Sequence, residues 1–91
     1  MKVLTVVPDM GIGGMQRVAQ NLSLGLSTLG VEVAVLAHRG RGPREAAYRA
    51  GGLTVFAPSS DDPSAETAIE AARRWAPDII HIHRTGYPKT N

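Results

Sequence analysis

The sequence predicts an α/β fold in which a parallel sheet of about four strands carries helices on its faces. Short apolar runs rich in β-branched residues alternate with longer segments of helical period. Proline and glycine separate the two kinds of segment at most junctions. The resulting order, βαβαβαβ, is the alternation that builds a parallel sheet through right-handed crossovers.

Val3-Leu4-Thr5-Val6-Val7 is the first strand, apolar enough to be covered on both faces. Pro8-Asp9-Met10-Gly11-Ile12-Gly13-Gly14 breaks it. A helix is expected over 14–29, with Met15, Val18, Ala19, Leu22, Leu26 and Leu29 as its apolar stripe and Gly30 at its end. Residues 31–37 are the second strand. After the loop Gly40-Arg41-Gly42-Pro43 a short helix is expected from Pro43 to Ala50. Residues 53–57 are the third strand. Asp62 before Pro63 reads as a helix start, and Ala65, Ala68, Ile69, Ala72 and Trp75 as the buried face of a helix over 64–75. Residues 78–82 are the fourth strand. If it lies beside the first, the strand order is 3-2-1-4, with its outer edge open to self-association or a missing partner.

The chain has 91 residues, 43% of them hydrophobic, which supports a globular core and argues against disorder. It has no cysteine, so disulfides and thiolate-held metals are excluded, and a reducing cytoplasm is the simpler compartment. No apolar run reaches the length of a membrane span, and the N-terminus lacks a signal-peptide pattern. A net charge of +2 does not argue for nucleic acid, and no aromatic residues interleave with the basic ones. Arg39, Arg41, Arg44 and Arg49 cluster beside His38. The favoured reading is a solvated loop; the sharper one is a patch for a phosphorylated or lipid-linked acceptor, or for the inner surface of a membrane.

Gly11-Ile12-Gly13-Gly14 is the most informative stretch. It joins the C-terminal end of a strand to the N-terminus of a helix, where open α/β sheets bind ligands. Exposed amides and the helix dipole favour an anion there. Taken alone, this reading weighs evenly against a tight turn of purely structural purpose. Gln16 stands where a dinucleotide fingerprint needs its third glycine, and no acidic residue ends the second strand. No Gly-Lys-Ser/Thr follows, so the turn is not a nucleoside-triphosphate loop. A nicotinamide-dependent reductase stays as an alternative, since Arg39 stands where a 2′-phosphate partner would be.

Met1 to Pro8, followed by Gly11-Ile12-Gly13-Gly14-Met15-Gln16-Arg17-Val18, resembles the opening of family 4 glycosyltransferases. Ala76-Pro77-Asp78-Ile79-Ile80-His81-Ile82-His83 resembles their fourth-strand pattern at a fitting distance. The resemblance implies a partial GT-B N-terminal domain over 1–91, Rossmann-like and acceptor-side. It implies retaining transfer from a nucleotide-sugar donor to a glycan or lipid acceptor, without a bound metal or other cofactor. Gly13 and Gly14 would approach the donor's diphosphate or sugar. Asp9, Gly11 and His83 would line the cleft. Arg17 and Arg39 are candidates for acceptor or phosphate contact. The nucleotide would be held by a C-terminal domain that this sequence lacks, so the chain alone is expected to be inactive. A non-catalytic truncated remnant is the other alternative.

His81 and His83 stand two apart on a strand and so share a face, a spacing that can hold a metal. With no third ligand in view, the favoured reading for His81 is a buried residue bonded to backbone. Asp9 reads more readily as a turn-shaper than as a partner for a sugar hydroxyl. Arg17 near a helix N-terminus is expected to have a partner, while Met15, Leu22 and Trp75 are expected in the core.

Overall fold

A strand with large apolar side chains on both faces must be covered on both sides. The computed structural model, which describes residues 1–62 and 64–83, shows how the central strands meet that demand. The elements are β1 (Lys2–Val7), α1 (Gly14–Thr28), β2 (Glu32–Ala37), α2 (Glu45–Ala50), β3 (Thr54–Phe56), α3 (Glu66–Trp75) and β4 (Ile79–Ile82). The strands form one sheet in the order β3-β2-β1-β4, and each neighbouring pair is parallel. The chain is thus a Rossmann-like α/β unit with the expected strand order.

The register fixes which side chains share a face. Val3 pairs with Val33 and Ile79, and Leu4 with Ala34 and Ile80. On one face, Val7, Val33, Val35 and Ala37 pack with Ala19 of α1 and Tyr48 of α2. On the other, Leu4, Ala34 and Leu36 pack with Ala68 and Ala72 of α3.

The structure corrects the expected face of α1. Its buried residues are Gln16, Ala19 and Ser23, while Val18 is 59% and Leu29 80% exposed and Leu22 is also exposed. Short side chains explain the rotation. Ala19 and Ser23 let the helix lie close to the sheet, and the Ser23 hydroxyl is satisfied by Thr5 Oγ1 at 2.7 Å. At its end the Gly30 and Val31 amides donate to Ser27 and Leu26 carbonyls, a Schellman arrangement.

Other differences are smaller. α2 begins at Glu45, not Pro43, and β3 is confined to Thr54–Phe56. α3 begins at Glu66, with Ala65 in the cap position. Asp62 does not cap it; its carboxylate accepts from the hydroxyls of Ser64, at 2.9 Å, and Thr67. Pro63 lies outside the described residues. Trp75 is half-buried, with the Lys2 ammonium 5.0 Å from its ring centre. Ile69, expected in the core, is exposed.

β4 is the least covered strand. Among the described residues it pairs only with β1, and Ile79, Ile80 and Ile82 are each about half exposed. An apolar hollow of about 430 Å³ lies between this strand and α3, lined by Leu4, Val6, Ile69, Ala72 and Ile80 among others. No helix among the described residues is long and apolar enough to cross a membrane.

Candidate functional site

The C-terminal ends of the parallel strands gather the loops on one edge of the sheet. β1 delivers Asp9 and the glycine-rich turn there, β2 delivers His38 and Arg39, and β4 delivers His83. Backbone bonds extend the sheet into this edge. The His38 and Arg39 amides donate to Val7 and Pro8 carbonyls at 3.1 and 2.7 Å. The His83 amide donates to the Val6 carbonyl at 2.8 Å.

The turn is built by side chains. Asp9 Oδ1 accepts from the Gly11 amide at 2.8 Å and from Gln16 Nε2 at 2.9 Å. This is the turn-shaping role expected of Asp9, with one oxygen fully committed. Gln16 is buried, and its side-chain amide fills the place a Cβ on Gly13 would need. A side chain at position 13 would therefore displace the Gln16 side-chain amide from Asp9. Gly14 differs, because a Cβ there would meet nothing within 4 Å. The first residue of the helix is thus unobstructed by the rest of the protein.

No side chain caps α1, and its first turn contains no acidic residue. The first amides of a helix have no intrahelical acceptor, so this end retains donors and a partial positive charge. That combination can receive an anion. The apolar hollow beside β4 offers no set of converging polar groups and lies on the α3 face of the sheet.

The other candidate residues divide. Arg17 is exposed, and among the described residues its guanidinium has no hydrogen-bond partner, unlike the expectation. Arg39 is also exposed, and among the described residues it is held by its backbone amide alone. The basic cluster does not present a row of free cations. Arg41 and Arg49 both reach Glu45 Oε2, at 2.5 and 2.9 Å. Burial raises the Glu45 carboxyl, but bonds from Arg41 and Arg49 and their charges outweigh it and hold the group below its ordinary range. Arg44 points instead to the glycine-rich turn.

His81 is exposed, not buried, because no element among the described residues covers β4 on that face. Its ring centre is 4.4 Å from that of His83, as their shared face predicts. Burial lowers the pKa of His83, and the neighbouring His81 lowers it further. No cluster of three or more potential metal ligands occurs among the described residues.

Gln16 and Arg44 are the site residues that sequence reasoning missed as such. Gln16 was visible as part of the Gly-Gly-Met-Gln-Arg-Val pattern, yet its polar side chain placed it on the outer face of the helix. For Arg44 no local signal existed, since its partners stand 24 to 34 positions away, from Met10 to Gln20.

Compared with known proteins, residues 12–89 match the family model described as Glycosyltransferase Family 4. No curated protein and no solved structure matches the chain.

Proposed function

The chain belongs to glycosyltransferase family 4 as an N-terminal part, and from that premise we propose that its glycine-rich turn receives the diphosphate, or the sugar beside it, of a nucleotide-sugar donor. The observation that carries this reading is an uncapped helix N-terminus whose first residue, Gly14, is unobstructed by the rest of the protein. Gly13 and Gly14 present backbone to the donor. Asp9 Oδ2, which takes no bond among the described residues, accepts from a sugar hydroxyl while Oδ1 holds the turn. His83 and Gly11 line the same edge. Arg17 and Arg39, free of side-chain partners among the described residues, are the cations available to an acceptor or a phosphate.

In this reading the sheet edge is one wall of a cleft. A GT-B C-terminal domain supplies the other wall and the nucleotide pocket, and transfer proceeds with retention. Acceptors are glycans or lipid-linked sugars, and a lipid acceptor places the work at the inner membrane surface. The chemistry requires both substrates held in a reactive geometry, which one wall does not provide. The chain alone therefore binds anions weakly and transfers nothing.

The test is a titration of the ¹⁵N-labelled chain with inorganic pyrophosphate and nucleoside diphosphates at constant ionic strength. Shifts concentrated at Ile12 to Met15 are expected. Shifts absent there, or spread evenly over the basic surface, would refute the donor-turn assignment. Sugar transfer by the isolated chain would refute its dependence on a second domain.

A further inference from the structure

Three successive carbonyls of the glycine-rich turn, from Met10 to Ile12, are gathered by one residue. The Arg44 amide donates to Met10 O at 3.0 Å. Its Nε donates to Gly11 O at 2.8 Å, and its Nη2 reaches Ile12 O at 3.5 Å. Its Nη1 donates to Gln20 Oε1 on α1 at 2.9 Å. The loop that carries Arg44 is itself pressed onto the turn, since a Cβ on Gly42 would overlap the Met10 carbonyl.

A trans peptide points its C=O and the following N–H in opposite directions. With Gly11 O drawn to Arg44, the Ile12 N–H points away from it. With Ile12 O drawn the same way, so does the Gly13 N–H. The Gly11 N–H is already spent on Asp9. We propose that Arg44 is a positioning residue: by holding the Gly11 and Ile12 carbonyls it aims the Ile12 and Gly13 amides outward, as a preformed cradle for the diphosphate of the donor. This rests on the donor-turn reading given above. The planar guanidinium suits the task because one rigid fork reaches two backbone carbonyls and a side chain on α1. Preformed donors bind better because they lose less freedom on binding.

Arg44→Lys and Arg44→Met in the full 91-residue chain test the idea. Lysine keeps the charge and loses the fork. Two readouts are taken: ¹⁵N relaxation and hydrogen exchange of the Ile12 and Gly13 amides without ligand, and pyrophosphate affinity at fixed ionic strength. Both variants are expected to loosen these amides while the sheet amides stay protected. Both should bind pyrophosphate about tenfold more weakly, the scale of a lost preorganisation. If Arg44→Lys binds like the wild type while Arg44→Met does not, Arg44 acts through charge alone and positioning is overturned. Unchanged order at Ile12 and Gly13 in either folded variant overturns it too. Should both variants unfold, Gln20→Leu removes only the anchor on α1, and wild-type amide order and affinity in that variant overturn the proposal. A wild-type chain that ignores pyrophosphate sinks the donor reading, and with it the cradle; the ligand-free amide order then separately decides whether Arg44 holds the turn.

Discussion

Gly14→Val separates function from fold at one position. A Cβ at Gly14 would meet nothing within 4 Å beyond its chain neighbours and its own helix backbone, so the protein itself has room for the side chain. Gly14 is the first residue of α1, where glycine is a poor choice for helix stability. Valine there should be worth roughly 0.3 kcal/mol more than glycine, which is an increase of about 1–2 °C in Tm for a domain of this size. The anion site should respond in the opposite sense. A hydrogen bond to a charged group contributes about 1.5–3 kcal/mol, so blocking one amide weakens diphosphate binding by roughly 10- to 150-fold. The assay pairs a thermal melt with a pyrophosphate titration followed at the turn amides. Undiminished affinity in a folded Gly14→Val chain would refute the claim that the open space serves a ligand. A large fall in Tm would show that the glycine is needed by the fold.

Thr5 and Ser23 are both buried and bond each other at 2.7 Å. Ser23→Ala strands the Thr5 hydroxyl and should cost about 1–3 kcal/mol in urea denaturation; with Thr5→Val added, the loss should be smaller than the sum of the single losses. Additive losses would mean the hydroxyls are not coupled. Gly42→Ala drives a methyl group into the Met10 carbonyl and should lower stability by about 1–3 kcal/mol; an unchanged Tm would contradict the close packing of the two loops. Because burial and then His81 lower the pKa of His83, the unfolded chain takes up its proton first as pH falls. Stability should therefore decline as pH drops through the ordinary histidine value near 6.5 toward the lower folded value. In His83→Gln that part of the slope should disappear, and a slope identical to wild type between pH 7.5 and 5.5 would show that His83 does not carry it.

The order of elements was legible because it depends on local period. Val3 to Val7 and Val33 to Ala37 are apolar at nearly every position, and only a strand covered on both sides uses such runs. The position of the glycine-rich turn was legible for the same reason. The way the turn is held was not. Gln16 reaches Asp9 across 7 positions and Arg44 reaches the Gly11 carbonyl across 33, and local pattern carries no record of such pairings. Hydrophobicity alone also misplaced the face of α1, because it ranks Leu22 and Val18 above Ser23 and Gln16 for burial. Close approach favours small side chains, and the polar ones are tolerated where a partner waits, Thr5 on β1 for Ser23 and Asp9 in the turn for Gln16.

The sequence by itself therefore determined the α/β class, the parallel sense of the strands and the motifs of family 4, while the place of β4 beside β1 came from the fold. The class, the parallel sense and the motifs follow from continuous apolar runs, from patterns that repeat every three to four residues, and from short stretches of adjacent residues. Only the tertiary structure decided which face of α1 is buried, which arginines are engaged, and which turn carbonyls are occupied. Those outcomes depend on the fit of distant groups. A guanidinium commits to whichever carbonyls the fold brings within reach, and the amides left outside that commitment are the ones a ligand can find.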